Sequence, residues 1–195
     1  LDSASSATYN MPFTVRFVGA LDTDALRTAL VDVVRRHEPL RSVVAEIDGV
    51  ACISAIDPDA VDVDLPVLAT GDVAQCPDRD FASLPFDLAA EIPVRARLVR
   101  TADDDHRLTM VVHHIAADGW SLAPLAGDLA TAYRARRDGI EPEWSQLPVS
   151  YSQTSAARHA WLDESPHAAA ELEFWRDTLD GAPGETELPL DRPRS

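Results

Sequence analysis

The stretch whose reading decides the fold is Val111-Val112-His113-His114-Ile115-Ala116-Ala117-Asp118-Gly119-Trp120-Ser121. Up to His114 it continues a β-rich segment that begins at Arg107. Beyond Ser121, Leu122, Leu125, Ala126, Leu129, Ala132 and Tyr133 recur at three- and four-residue intervals. A strand period therefore gives way to a helix period across Asp118-Gly119. The order predicted is strand, tight turn, helix: Gly119 breaks the strand, Ser121 caps the helix and Gly139 closes it.

Working outward, Val94 to Thr101 and Arg107 to His114 flank an acidic turn, Ala102 to Asp105, so the histidines end the outgoing strand of a hairpin. Earlier, Phe13, Val15 and Phe17 alternate with Thr14 and Arg16 as in a half-buried strand. Asp22 is placed to cap a helix bearing Leu26, Ala29, Leu30, Val33 and His37, which Pro39 ends. Asp48-Gly49 suits the turn of another hairpin, between Arg41 to Ile47 and Val50 to Ile56. Residues 57 to 90 read as an irregular connection with one short helix.

After a polar link from Ile140 to Pro148, a helix is expected around Tyr151 to Trp161. A second follows, capped by Ser165, with Pro166 in its first turn, Leu172, Trp175 and Leu179 at helical spacing and Gly181 as the stop. Leu188 to Arg194 read as extended. The fold class predicted is an α/β (α+β) sandwich in which helices cover a mixed β-sheet.

The 195 residues, 46% of them hydrophobic, suit one domain with a real core. A net charge of -16 argues against a nucleic-acid or anionic-membrane surface. The basic clusters Arg35-Arg36, Arg95 to Arg100 and Arg134 to Arg137 read as solvated faces, any one of which could receive a phosphorylated carrier. Apolar runs such as Leu108 to Val112 fall far short of the roughly 20 residues of a membrane helix, and Leu1 to Thr8 does not read as a signal peptide. Cys52 and Cys76 have no metal-type spacing. The expectation is a cytoplasmic protein with no metal, nucleic acid or membrane partner.

On a strand, His114 shares a face with Val112, Met110 and Leu108, while His113 lies with Val111 on the other. Diverging histidines without a third ligand beside them disfavour a metal ion. What remains is one imidazole at a strand end, able to take and return a proton near neutral pH. Backbone N–H groups of the following turn are placed to stabilise a developing oxyanion. Gly119 permits the sharp turn and a close approach by substrate. Asp118 reads as a loop-holding carboxylate, paired with an arginine or an N–H group, in preference to a catalytic acid or base. A lone histidine would read as an ordinary sheet residue; the conjunction of two histidines, an Asp-Gly turn and a capped helix points to acyl transfer. There is no Gly-x-Ser-x-Gly run to support a covalent acyl-enzyme.

The run 111–121 resembles the His-His-x-x-x-Asp-Gly signature of condensation domains of nonribosomal peptide synthetases. Arg36-His37-Glu38-Pro39-Leu40-Arg41 is similar to the family's Arg-His-Glu-x-Leu-Arg element, and Ala7-Thr8-Tyr9-Asn10, Pro85-Phe86-Asp87-Leu88 and Leu188 to Arg194 resemble other pieces in the same order. The family's opening Ser-x-Ala-Gln motif is absent, and Tyr151-Ser152-Gln153-Thr154 only faintly echoes a later one.

The resemblance implies a lobe like chloramphenicol acetyltransferase, with residues 1–187 as an N-terminal lobe and 188–195 as the start of a linker to a C-terminal lobe. It implies that His114 is catalytic together with Gly119, and that His113, Asp118, Arg36, Arg41 and Trp120 shape the site, with Arg36 or Arg41 in ion-pair reach of Asp118. The implied reaction is amide formation between an acyl or peptidyl thioester and an aminoacyl thioester. Both are carried on phosphopantetheine arms of donor and acceptor carrier proteins, so this chain binds no cofactor of its own. An adjacent adenylation domain is the further partner. Competing readings are an epimerising or cyclising relative, a stand-alone acyltransferase using coenzyme A, and a non-catalytic module that recruits a tailoring enzyme.

Overall fold

A computed structural model describes residues 7–75, 77–147 and 149–184. The chain divides into two compact units, Leu1–Leu147 and Pro148–Ser195.

In the first unit, β1 (Asn10–Val18), β6 (Asp105–His113), β5 (Val94–Ala102) and β4 (Val67–Ala69) form one sheet in that spatial order. The β1–β6 and β6–β5 pairs are antiparallel and β4–β5 is parallel, so the sheet is mixed, as predicted. The strand leading to the histidines is internal, paired on one side from Asn10↔His113 to Val18↔Asp105 and on the other with β5. A separate hairpin joins β2 (Ser42–Ile47) to β3 (Val50–Ala55). Its turn holds Asp48 at φ 53° and Gly49 at φ 78°, the pair of positive angles that Asp-Gly accommodates.

Two helices lie on one sheet face. The first, α1 (Thr23–Arg36), starts where the Asp22 carboxylate accepts the N–H groups of Asp24 and Ala25. A short α2 (Asp78–Ser83) follows β4, and α3 (Leu122–Arg137) follows the motif. Leu26, Leu30 and Val33 of α1, Leu125, Leu129 and Ala132 of α3, and Leu108, Met110 and Val112 of β6 form one buried cluster. A fully buried Leu or Val stabilises the fold by about 2 kcal/mol, so this three-way packing is what fixes the end of β6. The opposite face of β6 presents Val111 to Phe86 and Leu88.

Four details depart from the sequence reading. Residues 57–90 contribute more than an irregular link: β4 pairs with β5, and Val61, Val63 and Leu65, alternating with aspartates, reach into the main core. Ala126, placed on the core face of α3, is exposed, because Leu125 and Leu129 fill that stripe. The Arg95 to Arg100 cluster is solvated only in part: Arg100 is exposed, but Arg97 is 2% exposed, bonds Asp78 and lies 4.4 Å from the Phe81 ring centre. Arg36 and Arg136 also pair with carboxylates on a neighbouring helix.

The second unit contains α4 (Tyr151–Glu164) and α5 (Pro166–Leu179). Ser150 and Gln153 cap α4 reciprocally, and the Ser165 hydroxyl accepts the Ala168 N–H, with Pro166 in the first turn as expected. Cys76 and the extended tail expected at 188–195, with the boundary before it, lie outside the described residues.

Candidate active site

The two histidines part company at the end of β6. The ladder continues past the strand, with His113 N–H donating to Pro93 O (2.9 Å) and His114 N–H to Tyr9 O (2.8 Å). The His113 ring is 6% exposed, between Tyr9 (6.0 Å between ring centroids) and the edge-on Phe86 (6.1 Å). Its Nδ1 accepts the Ile115 N–H at 3.1 Å, which bends the chain into the turn. In this contact Nδ1 serves as an acceptor.

The partners of His113 are themselves held. Arg95 sits 3.8 Å over the Phe86 ring and donates to the carbonyls of Leu84 and Pro85. Asn10 donates to those of Ala82 and Leu84. His114, one residue beyond, is exposed. Alternation along the strand and burial of one ring thus leave the other imidazole in solvent at the end of an internal strand.

Among the described residues Asp118 meets no arginine. Its Oδ1 accepts the Ser121 N–H (3.0 Å) and the Ser121 hydroxyl (2.7 Å), while Ser121 Oγ accepts the Asp118 N–H (3.1 Å). Asp118 is therefore the cap of the turn Gly119–Ser121 with Ser121 as its reciprocal partner, and Ser121, which stands at the N-cap position of α3 as expected, makes no side-chain cap bond to that helix. These bonds, the Ser121 hydroxyl first, hold the carboxyl below its ordinary range, with a smaller contribution from the charge of His114.

The expected pairing of Arg36 or Arg41 with Asp118 is corrected. Arg36 Nε donates to Asp128 Oδ2 at 2.9 Å, and Arg41 donates to the carbonyls of Arg35 and Ile56. The physical reason is local: a serine three residues along satisfies the carboxylate, whereas Arg36 ends a helix that packs on α3, where Asp128 lies. The Ser121 N–H is consequently taken and is no donor for an oxyanion.

The φ of Gly119 is not positive, so the turn imposes no strain on a side chain there, and a Cβ would meet nothing within 4 Å. The glycine leaves open space beside the motif. Trp120 is 90% exposed and, with Ala116, Ala117, His37, Pro39 and Leu40, helps line a cavity of about 350 Å³. His114 is not among its lining residues. Among the described residues no group of three or more His, Cys, Asp or Glu is arranged to hold a metal ion, and no helix is long and apolar enough to cross a membrane.

Sequence reasoning missed Asp128, Phe86 as the packing partner of His113, and Arg95. A signal existed for Asp128, since an aspartate immediately before the core position Leu129 needs a partner.

Residues 2–195 match the family model described as Condensation domain. The chain is 46% identical to a probable non-canonical nonribosomal peptide synthetase, CymA, of Salinispora arenicola, over 97% of this chain and 2% of that protein. It is 43% identical to the isonitrile lipopeptide synthase of Mycobacterium tuberculosis, over 95% of this chain and 8% of that one. Among solved structures it resembles the X-domain from teicoplanin biosynthesis, at a TM-score of 0.85 and 34% identity, covering 96% of this chain and 42% of that one. The starter condensation domain of rhizomide synthetase RzmA shares the fold, at a TM-score of 0.77 and 20% identity over 92% of this chain and 44% of that one. The chain belongs to the condensation-domain family, and its fold is the chloramphenicol acetyltransferase-like lobe of that family. It spans only a few per cent of the curated synthetases named here and under half of the solved domains.

Proposed function

We propose that this chain forms one lobe of a domain that makes an amide bond between two carrier-bound thioesters, with His114 as the reacting imidazole. The observation that carries this is the exposed His114 at the end of an internal strand, backed by a buried His113 that fixes the turn through Ile115. In the reaction, the amine nitrogen of the aminoacyl thioester adds to the donor's thioester carbonyl, and His114 accepts the proton it sheds. The C–S bond then breaks, and the proton goes to the leaving thiolate, so His114 ends as it began. Gly119 leaves room for the reacting atoms, Trp120 borders the loop, and His113 and Asp118 hold its two ends.

The substrates arrive on phosphopantetheine arms of donor and acceptor carrier proteins, in a synthetase that also contains a C-terminal lobe and an adenylation domain. Within the basic clusters Arg97 and Arg136 are engaged with carboxylates, which leaves the exposed Arg100, Arg134 and Arg137 as the residues there that a carrier could meet.

A second reading draws on the likeness to the X-domain, which was also solved in complex with OxyB and is 32% identical there. On that reading this chain recruits a tailoring enzyme and carries no chemistry. The intact His113-His114 pair, the Asp118 cap and the open Gly119 favour condensation. The deciding measurement is dipeptide formation by the intact synthetase with both carriers loaded. His114→Ala is expected to keep its far-UV circular dichroism and lose about a hundred- to ten-thousand-fold in turnover, the range of general-base catalysis. Unchanged turnover overturns the reading.

A further inference from the structure

One carboxylate, Asp128, joins two helix ends near the motif. It lies in the second turn of α3, the helix that begins where the motif loop ends. Asp128 Oδ2 is 2.9 Å from Arg36 Nε and 2.7 Å from His37 Nε2. Arg36 is the last residue of α1 and His37 its C-cap. The guanidinium is further fixed by donation to Ser145 O at 3.0 Å and by the Trp144 ring, 4.7 Å from its centre. His37 lines the same cavity as Ala116, Ala117 and Trp120, the loop residues that follow His114.

The loop 114–121 therefore has two anchors. At its start, His113 holds the Ile115 N–H. At its far end, the loop runs into α3, whose position against α1 depends on core packing, on the Arg136–Asp32 pair farther along the helices, and, near the loop, on the bonds from Asp128 to Arg36 and His37. We propose that Asp128 is a positioning residue for His114, acting through the placement of α3 and hence of the loop's far end. This rests on the reading of His114 as the reacting imidazole. Removing the carboxylate leaves the Arg36 guanidinium largely buried without its counter-charge, so the helix ends separate to admit water. A displacement of about 1 Å in a reacting group costs on the order of a hundredfold in rate.

The test uses the intact synthetase with both carriers loaded and compares Asp128→Asn, Asp128→Glu, Trp144→Leu and His114→Ala. Asp128→Asn is expected to lower kcat by about ten- to a hundredfold, with KM for the acceptor carrier within about twofold of wild type. Asp128→Glu should recover part of the loss, and Trp144→Leu, which loosens Arg36 without touching the carboxylate, should fall between. Wild-type kcat in Asp128→Asn beside an inactive His114→Ala overturns the positioning role alone. A fully active His114→Ala overturns the reading beneath it. A KM increase at constant kcat also overturns the proposal, since the network would then serve carrier docking. If Asp128→Asn does not fold, Trp144→Leu decides: full kcat there overturns the role.

Discussion

Asp118 and Ser121 cap one another: one carboxylate oxygen takes both the N–H and the hydroxyl of the serine, and the serine oxygen takes the N–H of the aspartate. The turn after the histidines is therefore closed within four residues and needs no distant partner. Asp118→Asn keeps an oxygen for the Ser121 N–H, whereas Asp118→Ala loses it, so thermal melts should rank wild type above Asn and Asn above Ala. The carboxyl is held below its ordinary 3.8 by these bonds. A depressed folded pKa contributes stability that is present above the unfolded pKa and lost as pH falls through the folded one. The gap in melting temperature between wild type and Asp118→Ala should thus be constant above about pH 5 and narrow below the ordinary carboxylate pKa. A gap that persists unchanged to pH 2 would show that charge has no part in the cap.

His113 is packed by rings and also supplies an acceptor, and the two contributions are separable. His113→Ala empties the space between Tyr9 and Phe86 and should cost about 3 kcal/mol, as other large-to-small core changes do. His113→Phe refills it but strands the Ile115 N–H, for about 1–2 kcal/mol. Urea denaturation gives both values. If the Phe variant is no more stable than the Ala variant, the hydrogen bond and not the packing holds this position.

The clasp between Asp32 and Arg136 offers a control on α1 and α3 remote from the motif. Asp32 is 7% exposed and accepts two bonds from the guanidinium, at 2.7 and 2.8 Å. Asp32→Ala leaves a partly solvated arginine with only the exposed Glu141, 4.0 Å away, as counter-charge, for an expected loss of about 2–3 kcal/mol, at or below the lower end for a buried pair. Replacing both partners together, Asp32→Leu with Arg136→Met, should recover most of it. A double-mutant cycle measures the coupling; a coupling near zero would mean that apolar packing alone joins the helices.

Where one short period dominates, the chain announced its structure. The alternation through Val112 and His113, the Asp48-Gly49 turn and the caps at Asp22 and Ser165 are local signals, and each forms as read. Strand β4 was illegible because three residues between prolines and aspartates carry no period. Its partner β5 lies about 30 residues on. The buried Val61, Val63 and Leu65 did alternate with aspartates, but among so many prolines and aspartates the segment read as an irregular connection.

The site divides in the same way. The burial of His113 and the exposure of His114 accord with the divergence read from the strand pattern, whereas the partner of Arg36 was chosen by helix packing. Asp118 stood out in sequence as a loop-holding carboxylate, and Asp128 was missed. Only the fold shows that the first is satisfied by its neighbour and the second faces α1.

The last prediction concerns the pH dependence of condensation. Asp118, with its carboxyl held low by Ser121, stays ionised throughout the range in which amide formation is assayed, so it contributes no limb to the profile. An acid limb near neutral pH must then come from an imidazole or from the acceptor amine, whose pKa as a free α-amine is about 8. The two separate by substitution. If His114 takes the proton, wild type should carry an acid limb from the imidazole that His114→Ala lacks, because the rate of the variant then follows only the fraction of neutral amine. An acceptor of lower amine pKa should then restore more activity to the variant than it adds to wild type. The measurement is dipeptide formed under saturating carriers between pH 6 and about 9, the span over which an α-amine loses its proton. Equal profiles in the two proteins, offset only in height, would leave His114 a positioning role and remove it as the base.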